Sequence, residues 1–182
     1  MTYETIAAQD TLSETRDKLN GFTTRTILLP MRRYQWSAGG TSIGQSGDAV
    51  VESFTLGDKC NGLFMFPDEF DGAANATIKL YLAPDTSVSG KQVSFAVDVT
   101  AIKIGSAVNV AEGTVLVTDL VVPNTAHELF VATITIDAGT YLKTADPDFL
   151  GLQFSFERTA PTTAHSGEIY TPAATITYSI ER

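Results

Sequence analysis

At 182 residues the chain suits one domain of ordinary size with some length left for an appendage, and a hydrophobic fraction of 43% supplies a core, which excludes an intrinsically disordered chain. A formal net charge of −9 argues against nucleic acid and against an anionic membrane surface as partners, since both need a positive field. Cys60 is the only cysteine, so neither an intrachain disulfide nor a cysteine cluster for zinc or iron–sulfur is available, which fits assembly in a reducing cytoplasm.

The first residues lack a basic segment followed by an apolar core, and no stretch approaches the roughly 18 uninterrupted apolar residues of a membrane span, so no membrane insertion is expected. Residues 10–20 are the one convincing helix. Thr11 and Glu14 have the capping-box spacing, in which hydroxyl and carboxylate each satisfy an orphan backbone N–H, and Asn20 and Gly21 both tolerate the left-handed cap that closes it. Leu12 and Leu19 share one narrow stripe flanked by Ile6 and Phe22. A helix of about three turns with so thin a stripe is marginal alone in water. It needs its own domain, copies of itself about a symmetry axis, or another protein.

Residues 24–30 read as a first strand ending at Pro30, where a missing donor is tolerated. Residues 31–36 read as a connection carrying Arg32, Arg33, Tyr34 and Trp36, and the Gly- and Ser-rich residues 37–48 as a loop. From Ala49 onward strands follow in series: 50–56, 63–66, 78–82, 93–99, 115–122, 129–137, 150–158 and 174–180. Val93, Phe95, Val97 and Val99 alternate with Ser94, Ala96, Asp98 and Thr100, the clearest one-face-in pattern in the chain. In 150–158 the alternation puts Leu150, Leu152, Phe154 and Phe156 inward. Residues 159–172 read as a long loop, of the kind that carries function or lies against a neighbour. Eight or nine strands with turn signals between them, and no helix long enough for a crossover, specify an all-β fold. The expected architecture is an antiparallel two-sheet, jelly-roll-like sandwich of about eight strands with a short N-terminal helix. An immunoglobulin-like sandwich is the alternative.

Motifs that carry chemistry are scarce. His127 and His165 stand far apart with nothing at metal-ligand spacing, and both read as surface polar residues. Asp68, Glu69 and Asp71 share one turn and could coordinate calcium, but they lack the repeated oxygen spacing of a calcium loop, and Asp71-Gly72 is turn chemistry in its own right. Cys60 has no neighbouring His to activate it. Asp146 and Asp148 flank Pro147 in a turn and read as solvation. No catalytic residue, metal or cofactor is expected.

The run from Phe66 through Pro67, Asp68, Glu69, Phe70, Asp71 and Gly72, the alternating strand 78–83, the Ser89-Gly90 turn and the strand 93–97 resemble the jelly-roll domains of tailed-bacteriophage virion proteins. The strands 154–158 and 175–178 sit where that class has them, and residues 10–20 with Phe22 are similar to the short helical segment that opens many phage fibre and appendage proteins. The resemblance implies a non-enzymatic, homotrimeric component of the virion surface, a head fibre, decoration protein or tail part, assembled in the host cytoplasm. It implies attachment to capsid, portal or tail proteins through the N-terminus, with Leu12, Leu19 and Phe22 in the anchoring segment. Residues 1–23 are then the anchoring and oligomerisation segment and 24–182 the jelly-roll body. No long coiled coil follows the helix, which favours a short head-surface or tail-attached part over a long fibre. A carbohydrate-binding module is the second reading, with Tyr34, Trp36, Tyr81 or Tyr170 as an aromatic platform for a host-surface glycan. A hydrolase with carboxylates brought together by the fold is the third.

Overall fold

A computed structural model describes residues 24–33, 42–46, 49–105, 112–142, 146 and 148–180. The helix expected over residues 10–20, with Leu12, Leu19 and Phe22, lies outside them, as do Tyr34 and Trp36.

The described residues form eleven strands and one helical turn: β1 (Thr24–Leu28), β2 (Met31–Arg33), β3 (Ser42–Ser46), β4 (Ala49–Phe54), β5 (Lys59–Met65), β6 (Ala76–Pro84), β7 (Gln92–Lys103), β8 (Gly113–Val121), β9 (Phe130–Ile136), α1 (Ala138–Tyr141), β10 (Phe149–Thr159) and β11 (Ile169–Ser179). Two antiparallel sheets result. The first runs β3-β4-β11-β6-β9, with β1 also paired to β11, and the second runs β2-β5-β10-β7-β8. Along β11, β4 pairs with Ile169–Thr171 and β1 with Thr175–Ser179, so two strands share one edge in succession. Consecutive strands β5, β6 and β7 belong to the second, first and second sheets in turn. The expected jelly-roll-like sandwich is present, with more strands than the eight or nine expected.

Period-2 alternation fills the space between the sheets. Ile78, Leu80 and Leu82 of β6 face Val93, Phe95, Val97 and Val99 of β7 and Leu152, Phe154 and Phe156 of β10, all fully buried. Burying each such side chain contributes about 1.5–3 kcal/mol. Phe54 of the first sheet meets Phe95 of the second edge-on at 5.6 Å, and Phe64 meets Tyr178 across the sheets at 5.2 Å. At the end of the sandwich, Phe66 and Phe70 stack at 4.3 Å and fix the turn that follows β5.

Four local readings need correction. Residues 31–33 are a short edge strand on β5, not a connection. Residues 42–46, read as loop, pair with β4 from Ser42↔Ser53 to Ser46↔Ala49. Leu150 points outward, because a register shift between Phe149 and Gly151 inserts one extra residue opposite β7 and flips it to the solvent face. The loop expected over 159–172 shrinks to 160–168, because β10 continues to Thr159 and β11 starts at Ile169.

Candidate functional site

Two regions gather the polar and the exposed apolar side chains. The first lies under the 160–168 loop. Arg158 ends the inward-facing row of β10 and is 2% exposed. Its guanidinium donates to the carbonyl oxygens of Phe54, Gly167 and His165, holding the loop against β4. Burial pushes the Arg158 guanidinium below its ordinary value, and the charges of Asp85 and Asp58 oppose that fall. His165, expected at the surface, is buried beside it. Its Nε2–H donates to Asp85 Oδ1 at 2.9 Å, its backbone N–H donates to the Gln92 carbonyl, and Nδ1 is buried without a partner. Burial pushes the Asp85 carboxyl up, but bonds from the Glu168 backbone N–H, His165 and Thr86 outweigh it, so its net position is below the usual carboxylate range. A Cβ at Gly167 would lie 2.3 Å from Asp85 Oδ1, so a larger residue there would have to displace the Asp85 carboxylate.

Beside this cluster, Ser53 Oγ donates to Glu168 Oε2 at 2.8 Å. Tyr170 is buried, and burial raises its phenol, with the charges of Glu168 and Asp85 adding to the rise. His127 adopts φ 62 and lays its ring parallel to the Tyr170 ring at 6.0 Å. Of the residues considered for an aromatic platform, Tyr170 is thus mostly covered, Tyr81 is half-buried on the outer face of the first sheet, and Tyr34 and Trp36 fall outside the described residues.

The turn at residues 67–72 uses its carboxylates locally. Glu69 pairs with Arg25, and Asp71 Oδ1 accepts from the Ala73 N–H. Asp146 pairs with Lys103 at 3.5 Å, and Cys60 lies in the core. A crevice of about 440 Å³ opens where β4 gives way to β1 along β11, lined by Leu28, Leu29, Met31 and Thr171, whose Oγ1 is buried there without a partner.

The second region is the outer face of the second sheet. Register places Asn61, Ser155, Asp98 and Thr114 in one row across β5, β10, β7 and β8, with Leu63, Gln153 and Thr100 in the next. Thr114 donates to Asp98 Oδ1 at 2.6 Å, and Asn61 Oδ1 is buried without a partner. Beyond that polar band, Met65, Ile102 and Leu150 surround Gly151, with Leu63 and Ile104 at the margin; Met65 is 47% and Leu150 39% exposed. A Cβ at Gly151 would meet the Phe64 carbonyl oxygen at 2.3 Å, so the bulge demands glycine and leaves a bare spot in this apolar patch. Sequence reasoning missed the patch because the bulge reassigns Leu150, and it missed the loop anchor because Arg158 follows the inward series Leu152, Phe154, Phe156 as a charged residue.

No protein-family model and no curated protein matches the chain. Solved structures match at the level of shape. A xylan-binding module, CBM15, superposes with a TM-score of 0.47 at 15% identity over 87% of this chain and 99% of that one. The CBM36-1 domain of a multidomain xylanase from the hindgut metagenome of Trinervitermes trinervoides gives 0.44 at 9% over 87% and 99%. A cyclase from Fischerella sp. TAU gives 0.44 at 11% over 87% and 86%. At such scores the likeness decides nothing about activity, and binding modules and an enzyme stand side by side among the matches.

Proposed function

We propose that this chain is a non-catalytic building block of a bacteriophage particle, a jelly-roll body attached through residues 1–23. The observation that supports this reading most is the apolar patch of Leu63, Met65, Ile102, Ile104 and Leu150 on the outer face of the second sheet. Apolar side chains grouped in this way mark contact surfaces. The groups best suited to chemistry are engaged in holding the fold, with His165 and Asp85 bonded to each other, Arg158 on backbone carbonyls and Cys60 in the core. The test is peptide mass spectrometry of purified particles, followed by incorporation of Met65→Asp and of a chain lacking residues 1–22. Both variants should fold and be under-represented in particles. Incorporation equal to the unmodified chain would sink the attachment and contact claims.

A second reading has its own support. The polar band of Asn61, Asp98, Thr100, Gln153 and Ser155 sets amide, carboxylate and hydroxyl groups side by side on one sheet face, the kinds of group that hydrogen-bond sugar hydroxyls. A glycan array with the isolated protein tests it. Signal lost in Asn61→Ala supports sugar recognition at this band, and blank arrays at high protein concentration count against it.

A further inference from the structure

β8 carries apolar residues on both faces, and among the described residues neither face is fully covered. It ends the second sheet: β7 pairs along one side, and among the described residues no strand pairs along the other. Its inward residues Val115, Val117 and Leu120 are only half-buried, whereas Ala132, Ile134 and Ile136 of β9, the end strand of the first sheet, are sealed. On the outer face Leu116 is 65% exposed. Three consecutive apolar residues, Val115, Leu116 and Val117, are the pattern of a strand covered on both faces. Natural edge strands carry Lys, Pro or an inward charge to block further pairing, and residues 113–118 contain none of these. The edge is interrupted only at Asp119, which adopts φ 53, lies beyond a register shift against β7 and accepts the Thr162 N–H.

What fits this edge can be read from its residues. Thr114, Val115, Leu116, Val117 and Thr118 form a palindrome about Leu116. In an antiparallel pair with a second copy, centred on Leu116, Leu116 faces Leu116, Val115 faces Val117 and Thr114 faces Thr118. Each is a favourable cross-strand pair. The same register sets Asp119 opposite Gly113 and Glu112 opposite Leu120, so two chains of net charge −9 meet without opposed carboxylates. We propose that two copies of this chain associate through β8 across a two-fold axis, joining their five-stranded sheets into one continuous sheet. The proposal rests on the building-block reading and names the partner surface.

Sedimentation equilibrium of the full chain tests it. The expected mass is that of two chains, with association weakened at least ~10-fold by Leu116→Lys, which sets like charges face to face. Register is tested by cross-linking. Leu116→Cys should oxidise to an inter-chain disulfide, because directly opposed Cβ atoms lie about 4.5–5.5 Å apart, close to disulfide range. Thr114→Cys chains should cross-link with Thr118→Cys chains and not with themselves; buried Cys60 does not compete. A wild-type mass of one chain, or self-linking of Thr114→Cys as efficient as the mixture, overturns the proposal. A mass of three chains unaffected by Leu116→Lys overturns it too, while leaving the building-block reading intact. Absence of the chain from purified particles removes that reading and leaves the β8 pairing standing.

Discussion

The 160–168 loop and strand β8 treat their backbone groups in opposite ways. The loop is irregular, yet its carbonyls at His165 and Gly167 receive a buried guanidinium, and its N–H groups reach Gln92 and Asp119. Residues 113–118 of β8 are regular, yet among the described residues no strand pairs along their outer edge and Leu116 stays exposed. Regular geometry therefore says little about completeness; what separates the two is whether the chain supplies its own partners. A loop so provided for belongs to the fold, and a strand left open belongs to a contact.

Removing the loop's anchor should give the largest effect. Arg158→Ala strips donors from three carbonyls and leaves a void beneath the loop, so unfolding free energy should drop by about 3 kcal/mol or more, measured by chemical denaturation. Gly151→Ala probes the other side of the comparison, the bulge at the apolar patch. The Cβ there would meet backbone, which yields poorly, so a loss of about 1–3 kcal/mol is expected. If Gly151→Ala proved neutral, the bulge would not be fixed as described.

Asp85→Asn should cost about 1–2 kcal/mol at neutral pH, the lower range for bonds to a charged group, because the carboxylate keeps some solvent contact. The sign of its pH dependence follows from the direction of its shift. A carboxyl held below its unfolded value stabilises the fold above about pH 4 and loses that contribution as pH falls through the lowered folded value. The wild-type profile should therefore slope downward below about pH 4, and Asp85→Asn should flatten that limb. An unchanged acid limb would place the responsible carboxylates elsewhere.

Much of the sandwich was legible because the stretches 76–82, 95–101 and 152–158 of β6, β7 and β10 alternate without a break, which fixes which face each residue takes. What escaped depended on relations between strands. Leu150 reads inward until the extra residue opposite β7 is known. Residues 42–46 carry little apolar signal, so composition reads them as loop and only their register against β4 shows a strand. His165 looks like any loop histidine, because the groups it bonds, the Asp85 carboxylate and the Gln92 carbonyl, come from distant parts of the sequence. Arg158 continues the inward series of β10 as a charged residue, and only the loop folded over it makes a buried charge tolerable. The outer polar band was partly visible, since Asp98, Thr100, Gln153 and Ser155 fall on the solvent side of their strands, but its assembly across four strands is a property of the register.

The smallest stability effect should come from Leu116→Lys, and this makes it the sharpest test of the comparison. Leu116 is largely exposed and touches no part of the sealed core, so the lone domain should change by within about 0.5 kcal/mol. An open edge that serves a partner then shows a dissociation of function from folding: unchanged denaturation of the separated chains, and a mass shifted from two chains to one. If Leu116→Lys instead unfolded the domain, its side chain would already be an internal part, and β8 would belong with the loop. Thr118→Lys serves as the control, since in the proposed register it faces Thr114 of the second copy and should weaken association without placing two lysines opposite each other.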